Sequence, residues 1–379
     1  MILEGFEEWR MNENKRENFS KRMTDILNYG ALNLAMAVGY RTGLFEVMDG
    51  FDSPKTVSAI AEKAGLSARY VKEWLGVMVC GGIVELSVNE AGEDLFFFPK
   101  EHGDLMATRA GHDNIGLYTQ EIPLLTTCAM DPVVQGFKSG EGIGYDQYPE
   151  FQDFMSQLAN AKHQQVLIDQ FLPSIENGQL IQRLKAGIRV CDIGCAEGIA
   201  LMLMAKAFPA SEFFGMDISE EVIIKAKTSA RQQGLHNVTF LQTDATTLKE
   251  DRHQGKSFDY VTAFDTIHDL TRPLETLEGI YSILKPGGWF SMVDIAASST
   301  LSENKAHQMG PFLYTVSLMH CMPVGLVDGG KGLGMMWGYQ KAVEMLEDAG
   351  FAQVEVLEIP TDSFNSHFFC RRSEVSETK

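Results

Sequence analysis

No apolar run in the 379-residue sequence approaches the roughly 20 residues that a membrane-spanning helix needs. The opening stretch MILEGFEEWR is acidic and lacks the apolar core of a secretory signal, so a cytoplasmic protein without membrane attachment is expected. Basic residues are short as well: 32 Lys and Arg stand against 51 Asp and Glu, a formal charge of −19. That balance disfavours nucleic acid or an anionic membrane as partner and leaves a small neutral or zwitterionic ligand compatible. The six cysteines, Cys80, Cys128, Cys191, Cys195, Cys321 and Cys370, make no Cys-x-x-Cys pair, and no histidine stands at zinc-finger spacing. They read as free thiols, and no metal ligands are expected. Internal repeats and low-complexity segments are missing too. What is present, 45% hydrophobic and 22% charged residues, is ordinary for folded domains, and the length suits two of them.

Residues 1–100 read as a mainly helical domain ending in a hairpin. Ile26, Leu27, Leu34 and Val38 fall near helical spacing, and Ser53 to Val79 has the period and central Gly65 of a helix-turn-helix. Ile83–Leu86 and Leu95–Phe98 flank the turn residues Asn89 to Gly92 and make a plausible wing. A winged helix suggests DNA contact through Arg69 and Lys72, but Glu62, Glu73 and the apolar Val71, Trp74 and Leu75 oppose it, and a dimer element is the plainer reading. Residues 101–185 read as connecting helices, among them Phe151 to Leu172, with a glycine-rich loop at Gly140 to Tyr145.

From residue 186 short apolar runs alternate with helical segments. Ile188–Ile193, Phe213–Met216, Val238–Gln242, Phe258–Phe264 and Trp289–Val293 predict a parallel, doubly wound α/β sheet. Val354–Ile359 and His367–Arg371, separated by a turn at Pro360 to Ser366, predict a terminal antiparallel hairpin. This domain runs to residue 372, carries an insert at 298–339, and is followed by an expected disordered tail, 373–379.

In VCDIGCAEG, Val190 to Gly198, a strand enters a tight turn and then a helix, whose N–H groups and positive dipole end face a ligand. Gly194 and Gly198 permit close backbone approach, and Asp192 is placed to accept from an ammonium group. Asp217 ends the second strand, where such a fold sets a carboxylate on ribose hydroxyls; Asp244 follows the third, with Ala245 donating from its backbone toward an adenine. Each acid alone reads as a cap or a solvated turn; three at successive strand ends converge on one crevice. A dinucleotide would need glycines at 194, 196 and 199, and the chain has Gly194, Ala196 and Ile199.

DIGCAEG, GMDIS, LQTDAT and LKPGGWF resemble, in order and spacing, the motifs of class I S-adenosylmethionine-dependent methyltransferases, closely over residues 185–295. The resemblance implies a Rossmann-like seven-stranded sheet with S-adenosyl-L-methionine as cofactor. It places Asp192 and the turn Gly194, Cys195, Ala196 and Gly198 at the methionine end, Asp217 and Ile218 at the ribose side, Asp244 and Ala245 at the adenine, and Phe264 and Asp265 beside them. Ala196 stands where the usual motif has glycine.

Methyl transfer from a sulfonium requires alignment and, for a protonated acceptor, a base. His268 and Asp269, after the fourth strand, together with the winged helix, resemble the His-Asp pair of small-molecule O-methyltransferases of the plant caffeate type. That resemblance implies a hydroxyl acceptor with His268 as general base and Asp269 beside it, and a homodimer paired through the N-terminal domain. Leu270 stands where those enzymes carry tryptophan. The plainer reading makes Asp269 or Thr271 the helix cap before Pro273 and His268 a loop residue. In the insert, Met319, Met322, Met335, Met336 and Trp337 are candidates for lining an acceptor pocket with His320, although a Met-rich stretch is more often core packing; His320 and Cys321 on an apolar helix suggest catalytic or metal groups, but a core histidine is the plainer reading. Gly329 to Gly334 is no phosphate loop, for it follows no strand and lacks the Lys-Ser or Lys-Thr end. The whole chain also resembles winged-helix methyltransferases among which thiol S-methylation is implied, so a thiol acceptor is the alternative; a cofactor-sensing DNA-binding regulator is the alternative of another class.

Overall fold

The computed structural model describes residues 12–249, 257–359 and 362–374. Residues 375–379 of the expected tail and Pro360 and Thr361 of the expected turn lie outside them. The chain divides into two compact units, Met1–Pro123 and Leu124–Lys379.

In the first unit a long helix, Glu13–Arg41, opens at Asn12, whose side chain accepts from Lys15 N–H and so satisfies one of the first-turn donors. Helices Val57–Ala64 and Ala68–Cys80 form the helix-turn-helix, with Gly65 in the left-handed region between them (φ +67°). Val71, Trp74, Leu75 and Met78, at helical spacing, bury one face against Phe45, Ile60 and Phe98. The wing pairs β1 (Glu85–Val88) with β2 (Asp94–Phe97) antiparallel. Ile83 and Val84, expected in that strand, instead close the preceding helix, both N–H groups donating to the Met78 carbonyl.

The second unit holds a seven-stranded sheet. Its strands are β3 (Arg189–Ile193), β4 (Glu212–Asp217), β5 (Val238–Gln242), β6 (Phe258–Phe264), β7 (Leu284–Ile295), β8 (Val354–Ile359) and β9 (Asp362–Arg371). The order is β5-β4-β3-β6-β7-β9-β8; β3 to β7 are mutually parallel, and β9 runs antiparallel to both β7 and β8. Neighbouring residues alternate between two core layers: Val190, Tyr260 and Phe369 pack on one face, Cys191, Val261 and Phe368 on the other. Both faces are apolar, as a sheet covered by helices on each side requires.

Two expectations need correction. The polar run Asp362–Ser366 is strand, not turn: Asn365 and Ser366 sit opposite Ile295 and Asp294. The segment expected as one helix from Phe151 to Leu172 is an α-helix, Pro149–Lys162, continued by a π-helical stretch, His163–Phe171. A second π-helical turn, Ser317–Cys321, lies in the insert between helices Gly310–Val316 and Met322–Gly325. Among the described residues no helix is long and apolar enough to cross a membrane.

Candidate active site

Because β3 to β7 are parallel, their carboxyl ends share one edge of the sheet. The order reverses between β3 and β6, which opens a crevice there. The expected cofactor residues gather at this edge. Gly194 and Gly198 both take positive φ (+70° and +75°), and a side chain at either would collide, with Thr266 and with the Phe240 ring respectively. Those contacts, and not turn geometry alone, demand glycine. Helix Ile199–Ala207 begins at Gly198 and points its free N–H groups at the crevice.

Ala196 also sits at positive φ (+46°), as does Asp265 at the end of β6 (+47°). Neither has glycine's freedom, so each stores backbone strain beside the crevice. Asp217 ties the turn down: its carboxylate accepts from Ala196 N–H at 3.0 Å and from Ser219 N–H at 2.9 Å. Burial pushes its carboxyl above the ordinary range despite these bonds. Asp192 is buried and accepts from the Thr262 hydroxyl at 2.6 Å; burial raises its carboxyl to about 7. Asp244 is exposed, one oxygen accepting from the Thr246 N–H and hydroxyl, the cap that its local sequence suggests. Ile218 stands 63% exposed beside Asp217, an apolar face free for a planar ring. Phe264 packs edge-on against His163 and Phe171.

His268 lies in a short 3-10 turn after β6, almost wholly buried. Its Nδ1 bonds Asp294 Oδ1 at 2.8 Å, and its Nε2 lies 3.3 Å from Asp269 Oδ1. Burial alone would lower its basicity; Asp294 and then Asp269 overcome that and hold the imidazole well above its ordinary value. The Tyr145 hydroxyl donates to Asp269 Oδ2 at 3.1 Å, and Cys321 stands next to both His268 and Asp269. Burial and Asp269 push the Cys321 thiol up to about 12.

His320 is buried among Tyr145, Tyr148 and Phe151, with ring centroids at 5.9, 4.8 and 4.8 Å, and burial lowers its basicity. Its Nδ1 is 4.0 Å from Asp269 Oδ2, so it borders the cluster from inside an aromatic wall. Met319 is fixed by the Tyr148 hydroxyl, which donates to its carbonyl at 2.9 Å. Trp337 belongs to the core layer that contains Met292, Ala342 and Met345.

Residues 184–350 match the family model of a methyltransferase domain, and residues 30–109 that of an Rv2258c-like winged HTH domain. The chain is an S-adenosylmethionine-dependent methyltransferase. It is 24% identical over 205 residues to demethylmenaquinone methyltransferase of Listeria welshimeri, which spans 51% of this chain and 83% of that protein. It is 28% identical over 174 residues to a ubiquinone biosynthesis O-methyltransferase of Ruegeria pomeroyi, 46% of this chain and 64% of that one. The fold of the crystal structure of human N-acetylserotonin methyltransferase in complex with SAM is similar across 93% of this chain and 97% of that one, with a TM-score of 0.63 at 15% identity.

S-adenosylmethionine is therefore the cofactor of this enzyme, and the buried Asp192 fits its cationic methionine end. Three residues that meet the expected site residues escaped sequence reading. Thr262 and Asp294 lie inside apolar strands and Tyr145 in a glycine-rich loop, whereas Cys321 stands out beside His320 on an apolar helix. Only Asp294 carried a signal, as a lone acid near the end of a strand otherwise fit for burial.

Proposed function

We propose that the enzyme transfers the cofactor's methyl group to a hydroxyl of a small molecule, with His268 accepting the hydroxyl proton and Asp294 positioning the imidazole. The His268–Asp294 pair carries this reading: both groups are buried and 2.8 Å apart, His268 just after β6 and Asp294 near the carboxyl end of β7. Nδ1–H donates to the carboxylate, which leaves Nε2 with the lone pair for the acceptor's proton. Bound S-adenosylmethionine supplies the electrophilic methyl. The chain's own residues hold the acceptor in line with it and take one proton at Nε2. Met319 and His320 are proposed to wall the acceptor; Trp337, in the core layer, is proposed to support that wall from behind.

A strongly basic His268 rests protonated near neutrality, and turnover of a hydroxyl acceptor should climb toward alkaline pH. The same observation favours a second reading, a thiol acceptor. A thiol ionises near pH 8.5 unaided and needs the base less. The deciding experiment is a screen of phenols, alcohols and thiols with labelled cofactor, run on wild type, His268→Ala and Asp294→Asn. Loss of about 100-fold or more in kcat/KM for His268→Ala and about 10- to 100-fold for Asp294→Asn, with cofactor affinity kept, supports the hydroxyl reading. Unchanged turnover in both variants removes His268 as base.

A DNA-sensing role receives little support, because Arg69 is ion-paired with Glu73 on the helix that would face bases. A homodimer is supported by Ile26, Leu27, Leu34 and Val38, all exposed on helix Glu13–Arg41.

A further inference from the structure

Asp269 Oδ1 is buried and no hydrogen bond satisfies it; His268 Nε2, 3.3 Å away, faces it only as an ion-pair contact. A buried carboxylate oxygen held by that single contact is under-satisfied, and a cation shared with Nε2 would complete it. The potential ligand atoms of His268, Asp269 and Cys321 all lie within 4.8 Å of one another. We propose that these three side chains form a site for a thiophilic divalent cation of the zinc class.

The donor set selects the ion. An imidazole, a thiolate and one carboxylate suit zinc or cobalt and do not suit calcium or magnesium, which take oxygen ligands. Tetrahedral zinc with bonds of about 2.0–2.3 Å sets its ligand atoms roughly 3.3–3.8 Å apart, and the Nε2–Oδ1 separation of 3.3 Å already matches. Two of the three ligands also have the outer partners that metal sites use. Asp294 holds Nδ1 of His268 and thereby presents Nε2, and Tyr145 occupies Asp269 Oδ2 and leaves Oδ1 inward. Three protein ligands leave a fourth position open. Coordination replaces the Sγ–H proton of Cys321 and any proton on Nε2, and both leave to solvent.

Nε2 cannot hold a cation and accept a proton together. The loaded enzyme is therefore inactive toward hydroxyl acceptors. This inhibitory half rests on the proposed function; the binding half rests on the cluster alone.

Chelator-treated full-length protein titrated with cobalt(II) should gain tetrahedral d–d bands and a thiolate-to-cobalt charge-transfer band at one ion per chain, all displaced by zinc. Cys321→Ser should lose the charge-transfer band, and Asp294→Asn, read by its melting curve as folded, should bind about 10- to 100-fold more weakly. X-ray absorption of zinc-loaded wild type, which needs no variant, should show one sulfur among nitrogen and oxygen neighbours. A missing charge-transfer band, one that survives in Cys321→Ser, or a sulfur-free zinc shell overturns the site. Once an acceptor is in hand, zinc should abolish its turnover and chelator restore it. Metal binding with undiminished turnover refutes the inhibitory half and leaves the site standing.

Discussion

Replacing Asp192 by asparagine should make the empty protein more stable near pH 8 and a poorer binder of its cofactor. Burial raises the Asp192 carboxyl from 3.8 to about 7, only partly offset by the Thr262 hydroxyl, so the folded chain keeps a proton that the unfolded chain releases. For a carboxyl shifted upward the sign is unfavourable with rising pH. Nothing is lost below pH 4, stability falls by about 1.4 kcal/mol per unit between there and 7, and the full cost, on the order of 4 kcal/mol, applies above. A cationic methionine end beside Asp192 favours the carboxylate. Cofactor binding below pH 7 must then expel the proton, and Kd should rise about tenfold per unit of acidification. Asp192→Asn removes both effects. Its melting temperature at pH 8 should exceed that of wild type without cofactor, while affinity falls about 10- to 150-fold through loss of a charge-assisted bond worth about 1.5–3 kcal/mol. Calorimetric titration at pH 6, 7 and 8, in two buffers of different ionisation enthalpy, reads affinity and proton release together. A Kd constant across that range with no proton release, or an asparagine variant that melts lower at pH 8, refutes the reasoning.

Ala196→Gly relieves a left-handed alanine and should stabilise the apo protein by about 1 kcal/mol, raising its Tm by a few degrees without weakening cofactor binding. A lower Tm would mean that the strain is not there. Gly198→Ala should do the opposite: a Cβ there collides with the Phe240 ring on a backbone with φ +75°, for a loss of about 1–3 kcal/mol and of measurable cofactor affinity. Retained affinity in a titration of that variant would show that the ring can move aside.

The five parallel strands were legible because each is a short apolar run bounded by turn residues, and strands buried on both faces need such runs. The acids Asp192, Asp217 and Asp244 were legible because each closes a strand. Asp294 was not. Its partner His268 sits after the neighbouring strand, and only the β6–β7 register brings the two together. Polar Asp362–Ser366 read as a turn because their strand partners are remote in sequence: Asn365 and Ser366 pair with Ile295 and Asp294 of β7, and the adjacent His367 meets Ser291 on the same strand. The π-helical stretches were equally hidden, since one extra residue per turn barely disturbs an apolar pattern.

That extra residue has a consequence for how such chains diverge. Removing Leu318 would let Ser317–Cys321 close as an ordinary α-turn, with the helices on either side kept in register and only the residues of the turn re-aimed. Cys321, in that turn, would then approach His268 and Asp269 from a changed direction with its identity unchanged. Chain length at this one position, more than residue type, decides what chemistry the insert delivers, and a relative with the same residues but one fewer here would be a different catalyst.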